Sequence, residues 1–252
     1  MDLNLKGKRA LISGASRGIG KAIATALARE GCRIFLNGRD KETLEAAARE
    51  VGTSQFLSAD VTKGEDCRLL VKAVLKEWDG LDILVCNVGS GRSVPPGEES
   101  AEEWNRSLQV NLFATTNLVE AATPALSQNE GAILCLSSIC GEESLGAPVT
   151  YSSAKAALNA FVRGISRPLA KKKVRINALA PGNILFSGSV WERKLKENRA
   201  EVEALLTREV PLGRLGTAEE VADFAAFLVS PRSSFATGTL FTLDGGQLRG
   251  NG

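Results

Sequence analysis

The sequence predicts an α/β protein with a seven-stranded, doubly wound parallel sheet and helices on both faces. Short runs of apolar and β-branched residues alternate along the chain with longer stretches of helical period, as in strands joined by crossover helices. The apolar runs are continuous and do not alternate with polar residues. That pattern is typical of strands covered on both faces.

The elements follow one another in a regular order. The predicted strands cover residues 9–13, 32–37, 55–59, 81–86, 132–137, 174–180 and 239–243. Longer helices are predicted at residues 19–30, 41–51, 101–127, 150–170 and 217–229. Thr62 and Glu65 have the spacing of a capping box, so a further helix is expected to open there. No internal repeat or linker divides the chain, and residues 1–252 are predicted to form a single domain.

Composition and charge argue against several classes of protein. The formal net charge of +2 is too small to indicate nucleic-acid binding. The basic run Lys171–Lys173 is interpreted as a solvated helix end, with a phosphate-binding patch as the less favoured alternative. No segment reaches the roughly 18 apolar residues of a membrane span, and the N-terminal residues lack the apolar core of a signal peptide. We therefore expect a cytoplasmic protein with no membrane and no nucleic-acid partner.

The chain has five cysteines and no histidine. The cysteines form no Cys-x-x-Cys pair, so they are predicted to be reduced, buried thiols. Without histidine, a Ser-His-Asp triad, a Cys-His dyad and His-ligated zinc are excluded, and no metal is expected. Proton chemistry must come from tyrosine, lysine, cysteine or carboxylates, and Tyr151 is the single tyrosine.

A glycine turn at residues 13–20 joins the first strand to the first helix. Gly14, Gly18 and Gly20 would permit a tight turn and close backbone approach, and the helix N-terminus would offer free N–H groups to a dinucleotide pyrophosphate. The spacing is Gly-x-x-x-Gly-x-Gly and differs from Gly-x-Gly-x-x-Gly. The order strand, turn, helix nevertheless favours a phosphate site. A glycine turn without a ligand is the alternative.

The end of the second strand predicts which cofactor is used. An NAD site normally places a carboxylate there, but Gly38 stands at this position and Arg39 follows it. Together with Arg17 of the glycine turn, Arg39 would make charge-assisted bonds to a 2′-phosphate, which favours NADP(H) over NAD(H). Asp40 is interpreted as a helix N-cap. Two solvated surface arginines are the alternative.

Tyr151 and Lys155 lie four residues apart on a predicted helix and so share one face. A free phenol has a pKa near ~10, and lowering it by about 3 units requires roughly 4 kcal/mol of differential stabilisation. A close ammonium group can supply much of this stabilisation. The pair follows a strand of the predicted sheet, which places it at the ligand-binding edge. An incidental pair on an ordinary helix is the alternative.

With these motifs in place, the chain resembles the short-chain dehydrogenase/reductase family along essentially its whole length, and is similar to its 3-oxoacyl-acyl carrier protein reductases. The matching motifs are the three turn glycines, Asp60-Val61, Cys86-Asn87-Val88-Gly89, Asn111, Ser138, Tyr151, Lys155, Pro181-Gly182 and Asp244-Gly245-Gly246. The resemblance implies a Rossmann-type fold and a homotetramer or homodimer.

The resemblance also implies the roles of the site residues. Tyr151 would give a proton to the carbonyl oxygen as hydride arrives, and Ser138 would hold that oxygen. Lys155 would lower the pKa of Tyr151 and bind the nicotinamide ribose, and Asn111 would position a water. The alternatives are that Ser138 ends a strand and that Asn111 bonds its own backbone. The residues expected to bind NADP(H) are Gly14, Ser16, Arg17, Gly18, Ile19, Gly20, Arg39, Asp60, Val61, Asn87, Gly89, Tyr151, Lys155, Pro181, Gly182 and Ile184.

Three positions depart from the family pattern. Cys86 replaces an asparagine, Val88 replaces an alanine, and Phe186 stands where the family often has a threonine that bonds the nicotinamide carboxamide. Ser187 is the alternative donor for that bond.

The implied function is hydride transfer between a nicotinamide and a small carbonyl or alcohol, foremost a 3-oxoacyl-thioester-like or small ketone substrate. A sugar or polyol dehydrogenase is the alternative, and a non-catalytic NADP-sensing module is a remoter one. Substrate recognition is expected from loops 90–97 and 140–148 and from a lid at residues 184–211. Arg92 is the candidate reader of an anionic substrate.

Overall fold

The computed structural model describes residues 1–250 and is built on a seven-stranded sheet in the order β3-β2-β1-β4-β5-β6-β9. Every pairing in this sheet is parallel, as predicted. The strands are β1 (Arg9–Ile12), β2 (Arg33–Gly38), β3 (Phe56–Ser58), β4 (Ile83–Cys86), β5 (Ala132–Leu136), β6 (Arg175–Pro181) and β9 (Leu240–Leu243). Two short strands, β7 (Ile184–Leu185) and β8 (Gly216–Thr217), pair with each other outside it.

Helices cover both faces of the sheet. The helices are α1 (Gly18–Arg29), α2 (Lys41–Val51), α3 (Gly64–Trp78), α4 (Ala101–Leu108), α5 (Ala114–Gln128), α6 (Val149–Ala170), α7 (Val190–Glu197), α8 (Arg199–Glu209) and α9 (Ala218–Val229). Successive strand residues face opposite sides, so Ala10 and Ile12 pack with α1, α2 and α9, while Leu11 packs with α3, α5 and α6. The doubly wound fold predicted from the continuous apolar strands is therefore confirmed. Within residues 1–250, no helix has the length and apolarity needed to span a membrane.

The strand order reverses between β1 and β4, which lie side by side in the sheet. Loops leaving the carboxyl ends of these two strands run to opposite faces, and a crevice opens between them. The glycine turn follows β1, Asn87 follows β4 and Ser138 follows β5. The topology thus brings the predicted motifs to one edge of the sheet.

An ion pair lies at the opposite edge of the sheet, where β1 and β4 begin. Arg9 donates from Nε to Asp82 Oδ2 at 2.7 Å and from a terminal nitrogen to Asn129 Oδ1 at 2.7 Å. Burial pushes the pKa of Asp82 upward, but the hydrogen bonds from Arg9 outweigh it and leave the pKa below its usual value. This pair connects β1 to the start of β4 and to the end of α5.

Two local features differ from the sequence predictions. The helix expected over residues 101–127 is divided into α4, a π-helical turn at Gln109–Phe113, and α5. The capping box expected at Thr62 and Glu65 is wrong: α3 begins at Gly64 without a side-chain cap, and the Thr62 hydroxyl instead donates to Asp60 at 2.8 Å.

Candidate active site

The glycine turn has the backbone geometry that an anion site needs. Gly14 and Gly18 have φ angles of 62° and 58°, a region that side-chain-bearing residues rarely adopt. A Cβ on Gly20 would lie 2.5 Å from Asn87 Nδ2, so only glycine fits there. No side chain caps the start of α1 and its first turn holds no acidic residue, which leaves N–H groups available to a phosphate.

Ser16 and Gly38 are in direct contact where the adenosine half of a dinucleotide would lie. A Cβ on Gly38 would meet Ser16 Oγ at 2.4 Å, so a side chain at the end of β2 would require the Ser16 hydroxyl to move. Arg17 and Arg39 are exposed, and neither is paired with a carboxylate within residues 1–250. Asp40 caps α2 by accepting from Thr43 N at 2.9 Å, which confirms the predicted N-cap.

The remaining predicted cofactor contacts line the same crevice. Asn87 donates from Nδ2 to Gly14 O at 2.9 Å and from its backbone to Ser13 Oγ at 3.1 Å, which ties the loop after β4 to the glycine turn. Asp60 is half-buried beside buried Val61 after β3. These contacts hold the glycine turn in one shape. Because glycines line the crevice there, the backbone can come close to the pyrophosphate of a dinucleotide.

Ser138, Tyr151 and Lys155 meet at the carboxyl end of β5. Ser138 is buried at the start of a 3₁₀ turn, Ile139–Gly141, where its Oγ accepts from Cys140 N at 3.2 Å, and its hydroxyl lies near enough to Tyr151 to lower the pKa of the phenol. Lys155 is 3% exposed and donates from Nζ to Leu136 O at 2.7 Å. Its ammonium nitrogen lies 5.9 Å from the centre of the Tyr151 ring. The three predicted side chains therefore face one small volume.

The electrostatics of this cluster differ from the expectation that Lys155 lowers the pKa of Tyr151. Burial raises the pKa of Tyr151 to about 12, and the Ser138 hydroxyl offsets only part of this effect. Burial also lowers the pKa of Lys155 to about 8. The physical reason is that Lys155 Nζ bonds a main-chain carbonyl and does not touch the phenol. In this state of the protein Tyr151 is a protonated phenol at neutral pH.

Asn111 lies on the π-helical turn and is 1% exposed. Its Oδ1 accepts from Ser90 N at 2.8 Å, and its Nδ2 donates to Ser90 O at 3.0 Å and to Ser107 O at 3.1 Å. A Cβ on Gly89 would lie 3.2 Å from both Asn111 Oδ1 and Lys155 Nζ, so the two residues approach each other across this glycine. The Asn111 side chain is occupied in holding the loop that begins at Ser90.

Sequence reasoning missed a polar network around the Ser138 turn. Ser137 Oγ hydrogen bonds to Asn159 Oδ1, and Asn159 Nδ2 donates to Glu142 Oε1 at 2.7 Å. Asn159 lies one turn beyond Lys155 on α6 and is 3% exposed. The signal available in the sequence was an asparagine within the apolar stripe that contains Leu158 and Val162.

Phe186 covers the glycine turn. A Cβ on Gly18 would lie 2.6–3.0 Å from three atoms of the Phe186 ring, so the ring packs directly on that glycine. Phe186 N donates to Ser189 Oγ at 3.3 Å, and Ser187 is exposed. Nearby, Gly182 N donates to Leu243 O at 3.0 Å, and Ile184 is buried in β7. The position that often carries threonine therefore offers an aromatic surface and no hydroxyl.

The loops around the site are held by ionic contacts. Ser93 hydrogen bonds to Glu103 at 2.6 Å and Thr150 at 2.8 Å, and bonds from Arg106 and Ser93 lower the pKa of Glu103 to about 2. Arg106 also donates to the main-chain carbonyl of Arg92, whose own side chain is exposed. Loop 90–97 is therefore anchored to α4 and α6.

The C-terminal segment links two other parts of the site. Glu143, which follows the Ser138 turn, accepts from the backbone N–H groups of Arg249 and Gly250 at 3.2 and 3.3 Å. The Arg249 side chain pairs with Glu209 at the end of α8. We call this segment, residues 247–250, the C-terminal strap.

The doubly wound sheet, the glycine turn at its switch point and the Ser-Tyr-Lys cluster beside it define a nicotinamide-dependent oxidoreductase. Residues 14–247 match the family described as Enoyl-(Acyl carrier protein) reductase. The 3-oxoacyl-acyl-carrier-protein reductase of Chlamydia trachomatis is 33% identical over 249 residues, covering 96% of this chain and 98% of that protein. Glucose 1-dehydrogenase 2 of Bacillus subtilis is 33% identical over 253 residues, covering 97% and 96%.

A solved structure agrees with these matches. The crystal structure of L-sorbose reductase from Gluconobacter frateurii, complexed with NADPH and L-sorbose, superposes with a TM-score of 0.94 at 31% identity, covering 100% of both chains. The chain belongs to the short-chain dehydrogenase/reductase family. It is an NAD(P)-dependent oxidoreductase that acts on CH–OH groups or the corresponding carbonyls.

Proposed function

We propose that the protein is an NADPH-dependent carbonyl reductase in which Tyr151 is the proton donor. The observation that carries this proposal is the meeting of Ser138, Tyr151 and Lys155 at the carboxyl end of β5, with Tyr151 held as a protonated phenol. A bound nicotinamide would supply the hydride. The residues of the chain then hold the substrate carbonyl and deliver the proton.

The direction of the proton transfer follows from the pKa values. Because the pKa of Tyr151 is raised to about 12, the phenol is protonated at neutral pH and is ready to donate to a developing alkoxide. Ser138 donates a second hydrogen bond to the same oxygen and stabilises its growing charge. Oxidation of an alcohol needs the phenolate, so reduction is the direction for which the phenol is already in the required protonation state at neutral pH.

The preference for NADPH rests on the end of β2. Gly38 lacks the carboxylate that would accept from a ribose hydroxyl, and Arg17 and Arg39, both exposed, would flank a 2′-phosphate. Two unpaired guanidiniums can each make charge-assisted bonds to that phosphate. Gly14, Gly18, Gly20, Ser16 and Ile19 would hold the pyrophosphate half. Asp60, Val61, Asn87, Gly89, Pro181, Gly182 and Ile184 would complete the cofactor site.

The substrate we propose first is a 3-oxoacyl-thioester-like or small ketone, in line with the 3-oxoacyl-acyl-carrier-protein reductases among the relatives. A keto sugar is the second candidate, and two observations favour it. The L-sorbose reductase structure superposes over the whole chain. The consecutive carboxylates of Glu142 and Glu143 follow the Ser138 turn, and they would repel an anionic carrier while tolerating a neutral polyol.

We further infer that residues 1–252 act as one catalytic domain with residues 184–211 as the substrate lid, assembled as a homotetramer or homodimer. The lid assignment is supported by the packing of Phe186 on the glycine turn. The assembly is supported by exposed apolar side chains beside α5 and at the start of α6, Phe113 at 40% and Val149 at 41% exposure. Light scattering coupled to size-exclusion chromatography measures the number of copies.

The test is oxidation of NADPH and NADH, followed by absorbance, with acetoacetyl thioesters, small ketones and keto sugars. Tyr151→Phe serves as the matched control because it removes one hydroxyl. We expect turnover that prefers NADPH and is lost in the variant. Turnover that survives Tyr151→Phe would overturn the proposed mechanism. Tight NADPH binding without turnover of any substrate would support a sensing module instead.

A further inference from the structure

A buried amide joins the turn that carries Ser138 to the helix that carries Tyr151. Asn159 lies two turns beyond Tyr151 and one turn beyond Lys155, on the same face of α6. Its side chain is 3% exposed, and polar groups so buried are stable only when they are hydrogen bonded. The partners of Asn159 therefore indicate what it holds in place.

Asn159 contacts both ends of the Ser138 turn. At the beginning, Ser137 Oγ donates to Asn159 Oδ1. At the end, Asn159 Nδ2 donates to Glu142 Oε1 at 2.7 Å and, at 3.4 Å, to Gly141 O. Ser138 lies between these anchors. A neutral amide has separate acceptor and donor atoms, so it can accept at one end of the turn and donate at the other.

The turn also lies directly against the helix backbone. A Cβ on Gly141 would be 2.8 Å from the carbonyl carbon of Lys155 and 2.9 Å from Ala156 N, so the two backbones are in close contact. This contact limits how closely the turn and the helix approach, but between Gly141 and residues 155–156 it contains no hydrogen bond that would oppose sliding of one along the other. The hydrogen bonds of Asn159 oppose that sliding. They therefore set the position of Ser138 along α6, relative to Tyr151.

We propose that Asn159 and Glu142 are positioning residues that hold Ser138 in register with Tyr151, so that both hydroxyls reach the same carbonyl oxygen. This inference rests on the proposed function, because it requires that Ser138 bind that oxygen. A displacement of about 1 Å at a reacting group can cost roughly 100-fold in rate. Asn159 acts through Ser138 and touches neither the substrate nor the cofactor.

The first test is a double-mutant cycle between Asn159 and Ser138. Asn159→Leu should lower kcat about 10- to 100-fold, with little change in NADPH affinity. In a Ser138→Ala background the same change should cost less than about 3-fold, because the group being positioned is already gone. Melting temperature and NADPH binding are measured for every variant to verify that it folds.

Asn177→Leu is the matched control. Asn177 is an equally buried asparagine that donates to Ala236 O at 2.8 Å and accepts from Thr239 N at 3.1 Å, away from the Ser138 turn. Its loss should lower stability and change kcat by the same factor with or without Ser138. A purely structural role for Asn159 would give this same pattern.

The second test exchanges donor and acceptor. Asn159→Asp places a carboxylate against Glu142 and should lower kcat, whereas Asn159→Asp combined with Glu142→Gln restores a donor–acceptor pair and should recover most of it. If Asn159→Leu does not fold, this second test still shows whether Asn159 positions Ser138.

Different results would contradict the proposed function and the positioning role of Asn159. No Tyr151-dependent turnover in the unmodified protein, or no effect of Ser138→Ala, would overturn the proposed function. If both hold, equal losses from Asn159→Leu in the two backgrounds, or no recovery in the exchange variant, would overturn the positioning role.

Discussion

Changing Gly38 to aspartate should shift the cofactor preference from NADPH toward NADH more completely when Ser16 is shortened to alanine in the same protein. A Cβ on Gly38 would lie 2.4 Å from Ser16 Oγ but 3.7 Å from Ser16 Cβ. Removing the hydroxyl therefore leaves ordinary van der Waals contact. Gly38→Asp alone must instead turn the Ser16 hydroxyl away from this position, which alters a side chain of the glycine turn.

The size of the change in cofactor preference can be estimated from the hydrogen bonds that each cofactor gains or loses. A hydrogen bond to a charged group contributes about 1.5–3 kcal/mol, which corresponds to roughly 10- to 100-fold in binding for each of Arg17 and Arg39. A carboxylate at position 38 would repel the 2′-phosphate and accept from the 2′-hydroxyl of NADH. We expect kcat/KM for NADPH to fall about 100-fold or more in the double variant, and the value for NADH to rise about 10-fold.

Initial rates with NADPH and NADH are compared for the unmodified protein, both single variants and the double variant, with melting temperatures alongside. Ser16→Ala alone should keep the NADPH preference, and Gly38→Asp alone should shift the preference less than the double variant does. Arg39→Ala is the control that removes one phosphate contact without adding a carboxylate. If Gly38→Asp alone reversed the preference as completely as the double variant, at an unchanged melting temperature, the steric argument would be refuted.

Other predictions concern the proton donor, the glycine turn and the far edge of the sheet. Tyr151→Phe should lower the reduction rate about 100- to 10,000-fold while leaving NADPH binding intact, as measured by stopped-flow rates and fluorescence titration. The reduction rate of the unmodified protein should decline above about pH 8, because the lowered pKa of Lys155 lets the ammonium group that is expected to bind the nicotinamide ribose lose its charge there; a flat profile to pH 10 would contradict this binding role. Phe186→Thr exchanges the ring that covers the turn for a hydroxyl, so NADPH should bind roughly 2- to 10-fold more tightly; weaker binding would mean that the ring itself packs on the cofactor. Asp82→Asn should destabilise the fold by about 1–3 kcal/mol in urea unfolding, since it leaves Arg9 half-buried without its charge partner. Because the folded pKa of Asp82 is lowered, this contribution is present above the unfolded value near ~3.9 and is lost as pH falls through the folded pKa.

The fold could be predicted because the alternation of apolar strands and amphipathic helices is repeated along the chain. Each strand is a continuous apolar run, and the seven predicted strands match the seven observed to within about two residues at either end. Helix α2 has the predicted bounds, 41–51. The π-helical turn could not be predicted, because its five residues continue the apolar pattern of the helices on either side. Thr62 was misread because a hydroxyl can serve several partners, and Asp60 is nearer to it than the helix end.

The location of the site could also be predicted, whereas its internal bonds could not. The carboxyl ends of parallel strands share one edge of a sheet, which placed Tyr151 and Lys155 there, and the family resemblance added Asn87 and Ser138. The partner of Lys155 Nζ is a main-chain carbonyl, Leu136 O, and such atoms leave no mark in a sequence. The network of Asn159 depends on how closely a turn packs on a helix. That distance is set by tertiary structure.

The C-terminal strap bears on how quickly product can leave. It ties Glu143, beside the Ser138 turn, to Glu209 at the end of α8, through Arg249. The Arg249 side chain is 73% exposed, and exposed ion pairs contribute only about 0–1 kcal/mol and weaken with salt. A connection of this strength opens readily on the timescale of turnover. If opening of this region limits the catalytic cycle, added salt will raise kcat, and the increase will disappear in Arg249→Gln.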